Sequence, residues 1–195
     1  MSEKESNMDT KNVEELFRKS GAVMDGHFLL HSGGHSPVYW EKFRVLQYPE
    51  YVTQLCGMIA DRFRDTPIDL VAGPVTGGII LAFEVGRQLG KRAIYAENEG
   101  GKKAFRRGAV IKPGDRILIV DDVMTAGGSV QDVINAVNER QGKLVGVGVL
   151  VDRSDRSPDF GAPLFSCLRT TAVTYTPDKC PLCAAKVPLV KLGSS

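Results

Sequence analysis

No apolar run in this 195-residue chain approaches the ~20 residues that a membrane-spanning helix needs. Met1 to Lys11 is polar and charged where a secretory leader would carry an apolar stretch. These absences lead us to expect a cytoplasmic protein with no membrane partner. The formal net charge is only +2, so no broad basic field recommends nucleic acid as a partner. Cysteine is scarce. The four, Cys56, Cys167, Cys180 and Cys183, include two on apolar segments, which favours reduced thiols over a disulfide framework. Internal repeats and low-complexity tracts are absent as well. With 43% hydrophobic and 25% charged residues, the chain can bury one sizeable core, and a single domain over 1–195 is expected.

What is present is an alternation of strands and helices. After a frayed start, Asn12 to Ser20 predicts a short helix with Val13, Leu16 and Phe17 on one face. Gly26 to Trp40 reads as extended structure broken by the turn-rich Ser32-Gly33-Gly34-His35-Ser36-Pro37. Pro49 opens a helix bearing Val52, Leu55, Ile59 and Phe63. Then follow a strand Leu70–Ala72, a helix about Ile79–Leu89, strands Arg92–Tyr95 and Arg116–Val120, a helix about Ser129–Asn138 and a strand Leu144–Val151. Such alternation predicts an α/β fold with a doubly wound, mostly parallel sheet.

The richest segment is Ile117-Leu118-Ile119-Val120-Asp121-Asp122-Val123-Met124-Thr125-Ala126-Gly127-Gly128-Ser129. Its apolar run suits a strand covered on both faces, with two acids emerging at the carboxyl end, where open α/β sheets bind ligands. Thr125 to Ser129 are small or hydroxylated and can curl backbone N–H groups around an anion. Ser129 is the expected N-cap of the next helix. A phosphate would be repelled by Asp121 and Asp122, so it belongs with the turn, and the acids face hydrogen-bond donors such as vicinal ribose hydroxyls. A ribose 5-phosphate carries both groups. The bland alternative is an ordinary acidic surface loop followed by a tight turn.

This segment resembles the phosphoribosyl-diphosphate signature of type I phosphoribosyltransferases over its full length. The resemblance implies transfer of ribose 5-phosphate from phosphoribosyl diphosphate to a nitrogenous base, assisted by Mg²⁺ held mainly by the substrate diphosphate, with no protein metal site. It implies that Asp121, Asp122, Val123, Met124, Thr125, Ala126, Gly127, Gly128 and Ser129 bind that substrate. A second glycine turn, Gly73-Pro74-Val75-Thr76-Gly77-Gly78, sits at the equivalent place in its βα unit; the family uses that loop for pyrophosphate, which assigns Thr76 and Gly77. The polar segment from Glu97 to Gly108 is a candidate mobile lid, whose Lys102, Lys103, Arg106 and Arg107 would stabilise the leaving pyrophosphate. Solvated charged loops look the same.

Phe28 to Trp40 resembles the N-terminal hood of the orotate branch, and Val151-Asp152-Arg153 resembles its base-binding strand end. The resemblance places orotate against Ser32, Gly33, Thr125 and Arg153, and a planar guanidinium suits orotate's carboxylate. A surface ion pair is the plain alternative for Arg153. Cations usual in that branch are replaced at three places, by His31, Gly77 and Glu97-Asn98, a pattern similar to the branch found in Thermus-like bacteria. The implied architecture is a hood over about 21–45, with a possible contribution from the C-terminal segment, a core over about 50–175 and a tail over 176–195. The family is commonly dimeric, with the lid shared between subunits.

Cys180-Pro181-Leu182-Cys183 has the spacing of half a zinc site, but no second close pair of ligands accompanies it, and no metal is expected there. Two other functions stay open: a transferase for another base, and a non-catalytic sensor of phosphoribosyl diphosphate. The second would need a nucleic-acid-binding module, for which the polar residues before the first helix are too few.

Overall fold

The computed structural model describes residues 10–30, 32–171 and 173–192. The start expected to fray and His31 lie outside the described residues. In chain order the elements are α1 (Thr10–Lys19), β1 (Val23–Leu29), β2 (His35–Trp40), α2 (Lys42–Val45), α3 (Pro49–Arg62), β3 (Leu70–Pro74), α4 (Gly77–Leu89), β4 (Arg92–Glu99), β5 (Lys102–Phe105), β6 (Arg116–Met124), α5 (Gly128–Glu139), β7 (Lys143–Asp152), β8 (Leu164–Arg169), a single 3-10 turn (Pro177–Lys179) and α6 (Pro181–Ala184). Six strands form one sheet in the order β5-β4-β3-β6-β7-β8. All neighbours are parallel except the β4–β5 hairpin. β1 and β2 make a separate antiparallel pair, the expected hood.

Strand periodicity explains the layers. In β6, Ile117 and Ile119 pack with Val130, Val133, Ile134 and Val137 of α5. Their neighbours Leu118 and Val120 point the other way, into a core with Leu55 and Ile59 of α3 and Leu81 and Val85 of α4. Register carries the same alternation into β3, where Leu70 and Ala72 join the α5 side and Val71 the α3–α4 side. Covering both faces is what makes the run continuously apolar. Each of these fully buried side chains contributes about 1.5–3 kcal/mol.

Three expectations need correction, and one segment takes a regular form that was not foreseen. β6 does not stop at Val120 but runs to Met124, because Val123 and Met124 go on pairing with Val151 and Asp152 of β7. Ser129 is not the N-cap of α5. Gly127 holds that position, at φ +79°, and Ser129 lies inside the helix. The Ser-Pro pair of the hood lies in β2 rather than in the turn, which is closed before it by bonds from Leu30 N–H to Gly34 O and from Gly33 N–H to Leu30 O. The lid segment is a regular β-hairpin, Glu99 pairing with Lys102 across Gly100-Gly101. Among the described residues no helix is long and apolar enough to cross a membrane.

Candidate active site

The carboxyl ends of β3, β6 and β7 bring the two glycine turns and Arg153 to one edge of the sheet, held in register by parallel pairing. Thr125, Ala126, Gly128 and Ser129 are exposed there while Gly127 is buried. Glycine is required at 127 twice over. Its φ is left-handed, and a Cβ would come within 2.8 Å of Pro158 Cγ. No side chain caps α5, so the N–H groups of its first turn are left for an anion, where the helix dipole favours negative charge. The first turn of α4 likewise has no side-chain cap at Thr76, and the Val75–Thr76 peptide beside it is cis. Thr76 is exposed, Gly77 buried.

Asp121 and Asp122 are not the solvent-facing pair that a strand end implies: they are 6% and 2% exposed. Being inside β6, they point to opposite faces. Asp122 turns toward α2 and α4. Its Oδ1 accepts from the Val123 N–H at 2.6 Å and from Lys42 Nζ at 2.9 Å, while its Oδ2 is buried with no partner among the described residues. That oxygen abuts Gly77, where an added Cβ would lie 2.0 Å from it. The two glycine turns therefore meet at one carboxylate. Any side chain at 77 would have to displace the Asp122 carboxylate, and Lys42 of α2 brings a cation to that carboxylate from another direction.

Lys42 was missed by sequence reasoning. Its only signal is a place in the charged run Glu41-Lys42-Phe43-Arg44 directly after the hood strand.

Asp121 belongs to the α5 side. Burial pushes its carboxyl up to about 7, aided by the negative charge of Asp122 and opposed by the Asp122 backbone N–H, Lys42 and Ser129. An acid whose folded pKa exceeds its ordinary 3.8 keeps its proton longer in the folded state. Between those two values the folded chain holds more protons than the unfolded one, so this stabilisation is complete at the acid end and is lost as pH rises to about 7. Asp121→Asn removes the titration. Thermal unfolding followed from about pH 4.5 to about pH 8 should show the variant gaining on the wild type as pH rises. Parallel pH profiles for the two proteins would refute the assignment.

Arg153 follows the last residue of β7, its backbone N–H bonded to Met124 O at 2.8 Å. The guanidinium lies over Trp40 of the hood, 5.8 Å from the ring centroid, and its Nε is buried without a partner among the described residues. Burial lowers its pKa. This is not the surface ion pair considered for it but a half-buried cation facing the hood. Ser32 and Gly33 sit exposed at the hood turn, where the Gly33 N–H bonds Leu30 O and the Gly34 N–H reaches Ser32 Oγ.

Three lid cations are engaged within the hairpin: Lys103 with Asn98 at 2.7 Å, Arg106 with Glu99 at 2.8 Å and Arg107 with Glu97 at 2.9 Å. Glu97 and Asn98, at the usual cationic places, are thus matched by Arg107 and Lys103 a few residues on. Lys102 has no such partner among the described residues. These ion pairs are exposed on the guanidinium side, so exchanging them for a bound anion costs little.

Cys180 and Cys183 do not stand alone, contrary to expectation. His27 of β1 and His35 of β2 converge on them, and the ligand atoms of all four lie within 4.8 Å of one another. Cys56 and Cys167 are buried thiols whose pKa burial raises, as expected of reduced packing cysteines.

The family model described as phosphoribosyl transferase domain matches residues 44–171. Similar curated proteins include orotate phosphoribosyltransferases of Thermoanaerobacter sp. (strain X514), 46% identical over 96% of this chain and 98% of that protein, and of Chlorobium phaeobacteroides (strain BS1), 44% identical over 96% and 97%. A solved orotate phosphoribosyltransferase from Aeropyrum pernix aligns with a TM-score of 0.69 at 27% identity, covering 80% of this chain and 93% of that one. An adenine phosphoribosyltransferase from Rhodothermus marinus, at 21% identity and a TM-score of 0.64 over 83% of this chain and all of that one, shares the fold.

Proposed function

The chain belongs to the orotate phosphoribosyltransferase family, within the wider phosphoribosyl transferase domain family, and from that premise we propose how its residues make orotidine 5′-phosphate and pyrophosphate from orotate and phosphoribosyl diphosphate in pyrimidine synthesis. One observation carries the assignment: the uncapped first turn of α4 abuts a buried carboxylate, Asp122, whose Oδ2 has no partner among the described residues, on the same sheet edge as the uncapped first turn of α5. The α5 turn takes the 5-phosphate, Asp122 Oδ2 accepts from a ribose hydroxyl, and the Thr76–Gly77 turn takes the diphosphate.

Displacement at the anomeric carbon builds positive charge on the ribose ring and negative charge on the leaving group, so no covalent nucleophile is needed. Orientation of the sugar and electrostatic stabilisation of pyrophosphate carry the rate. Mg²⁺ on the diphosphate would offset leaving-group charge. The residues fit that role for the ion: Asp122 Oδ2 is a hard oxygen donor with a spare lone pair, and apart from the His–Cys cluster no group of three His, Cys, Asp or Glu ligands gathers among the described residues. We take the substrate diphosphate to be its main holder. Arg153 grips the orotate carboxylate, with Ser32, Gly33 and Thr125 around the base.

The hood and core act as one catalytic unit in the cytoplasm, and the active form is a homodimer whose lid reaches the neighbour's site. Exposed Ile80 and Phe83 on α4, beside a groove of about 370 Å³ lined by Leu46, Pro49, Val52 and Ile79, supply the apolar patch for self-association.

Pyrophosphate release with orotate, uracil or purines as acceptor, at saturating phosphoribosyl diphosphate and Mg²⁺, tests the reading. Orotate alone should support turnover. Turnover with another base instead would assign a different transferase, and diphosphate binding without turnover a sensor.

The lid cations act when the hairpin closes. Alanine at Lys102, Lys103, Arg106 or Arg107 should lower kcat and kcat/KM together by about tenfold or more at the essential position, about 1.4 kcal/mol of barrier, with little change in ground-state binding. Lys102, which surrenders no partner on closing, is expected to show the largest loss in single-turnover rates. Wild-type rates in all four variants would leave the leaving group to Mg²⁺ and the backbone.

A further inference from the structure

We propose that His27, His35, Cys180 and Cys183 form a closed structural zinc site that staples the C-terminal tail to the hood. The ligand atoms come from three elements: His27 from β1, His35 from β2, and the two thiols from the start of α6. His27 Nε2 lies 3.0 Å from His35 Nδ1, 3.4 Å from Cys180 Sγ and 3.7 Å from Cys183 Sγ, and Cys183 Sγ lies 3.3 Å from His35 Nδ1. Zinc bonds of about 2.0–2.1 Å to nitrogen and 2.3 Å to sulfur set the edges of a ligand tetrahedron at about 3.3–3.8 Å. The three nitrogen–sulfur edges of 3.3, 3.4 and 3.7 Å fall in that range, the nitrogen–nitrogen edge of 3.0 Å is slightly shorter, and all six lie within 4.8 Å.

Hydrogen bonding alone cannot account for it. His27 Nδ1 is 2.8 Å from the carbonyl oxygen of Val187, which can only accept, so Nδ1 carries the proton and Nε2 presents its lone pair to the cluster. Three groups converge on that one lone pair, from His35, Cys180 and Cys183. One lone pair satisfies at most one donor well, whereas a cation at the centre takes a lone pair from each of the four. The Val187 carbonyl then plays the part that outer partners commonly play for metal-bound histidines, fixing tautomer and ring orientation. Two thiolates with two imidazoles in a tetrahedron favour zinc over harder cations. Four protein ligands leave no open position, which makes the site structural.

The tail needs such an anchor. Between residues 173 and 192, Cys180 is the single buried residue among those described, while Val173, Val187, Leu189 and Val190 stay exposed. Apart from the cluster, the tail docks through backbone bonds: Leu29 N–H to Val190 O, Val190 N–H to His27 O, and a reciprocal pair between His35 and Tyr175. Backbone bridges without a buried apolar face are weak. A metal that binds only the folded arrangement adds its binding free energy to tail docking and fixes both ends of the hairpin that bears Ser32 and Gly33.

The test uses the full chain purified without a polyhistidine tag from zinc-supplemented medium. Elemental analysis should find one zinc per chain after exhaustive dialysis. Replacing the zinc by Co²⁺ should give the intense visible bands of a tetrahedral ion together with thiolate charge-transfer absorption. Cys180→Ser with Cys183→Ser should lose the metal and the bands, whereas Cys167→Ala should keep both. Because the double variant could fold poorly, the wild type supplies a second reading. Mercurial titration of its thiols should release the zinc stoichiometrically, and chelation should lower Tm by at least about 5 °C, reversed by zinc and not by magnesium. A wild-type chain that takes up neither ion, a Cys180–Cys183 disulfide in protein purified from reducing cytosol, or zinc retained in the double variant would overturn the proposal.

Discussion

Asp122→Asn should lower kcat/KM for phosphoribosyl diphosphate by about 10- to 150-fold, the equivalent of losing one hydrogen bond of about 1.5–3 kcal/mol to a charged group. The size follows from how the carboxylate is held. Its Oδ1 receives two donors, the Val123 N–H and Lys42 Nζ, and only the unpartnered Oδ2 is left for a ligand. An asparagine must keep its oxygen toward those two donors. Its NH₂ is then forced into the place of Oδ2, so that a donor faces the ribose hydroxyl where an acceptor stood. Folding should change far less, because the replacement is isosteric and Lys42, 40% exposed, can be rehydrated. Adding Asp121→Asn should cripple turnover further with the fold retained.

Gly77→Ala probes the same carboxylate from the other side. Its Cβ would sit 2.0 Å from Oδ2, so the acid must swing away and a comparable loss is expected. Steady-state kinetics beside thermal unfolding decide the matter: variants of wild-type stability with kcat/KM within about threefold of wild type would remove Asp122 from the sugar site.

Legibility followed the range of the interaction. The turn Thr125–Ser129, the strand before it and the helix after it are contiguous, so composition and order alone pointed to an anion site at the start of α5. Continuous apolar runs likewise announced β3, β6 and β7, since strands covered on both faces need them. β5 escaped notice because Lys102-Lys103-Ala104-Phe105 is short and charged; it is a strand because β4 offers it a free edge. β8 was missed for a similar reason, Leu164 to Arg169 being only partly buried and recruited by the edge of β7.

The burial of Asp121 and Asp122 could not be read locally, because an acid pair at a strand end looks alike whether β6 stops at Val120 or pairs on to Met124. Lys42 and the His–Cys quartet depend on contacts across 80 and more than 150 residues. Local pattern carries no trace of such pairings. Even so, the Cys-x-x-Cys spacing was half of the quartet, and the other half lay in a hood whose strands, and a possible contribution from the C-terminal segment, were foreseen, but not which side chains would meet there.

Arg153→Ala should raise KM for orotate by about 10- to 150-fold while KM for phosphoribosyl diphosphate changes little. Arg153 is fixed through its own backbone to Met124, so its side chain starts from a rigid strand end beside the sugar site. Burial opposes its charge, and its Nε finds no acceptor among the described residues, so the guanidinium is held where only an anion or carbonyl arriving from outside can satisfy it. On the proposed reading orotate's carboxylate would meet that need with two parallel bonds, and uracil, lacking the carboxylate, would not.

Three variants separate charge, fork and stacking. Arg153→Lys keeps the charge but not the paired geometry and should recover only part of the loss. Trp40→Ala removes the ring beneath the guanidinium, 5.8 Å away, and should cost at least about two- to fivefold, the lower range for a cation–π contact of about 0.5–1 kcal/mol, since this one is half-buried. A purely structural arginine would behave otherwise. Its loss would raise both Michaelis constants alike, and lysine would rescue them alike, leaving orotate to be bound by the hood turn and Thr125 instead.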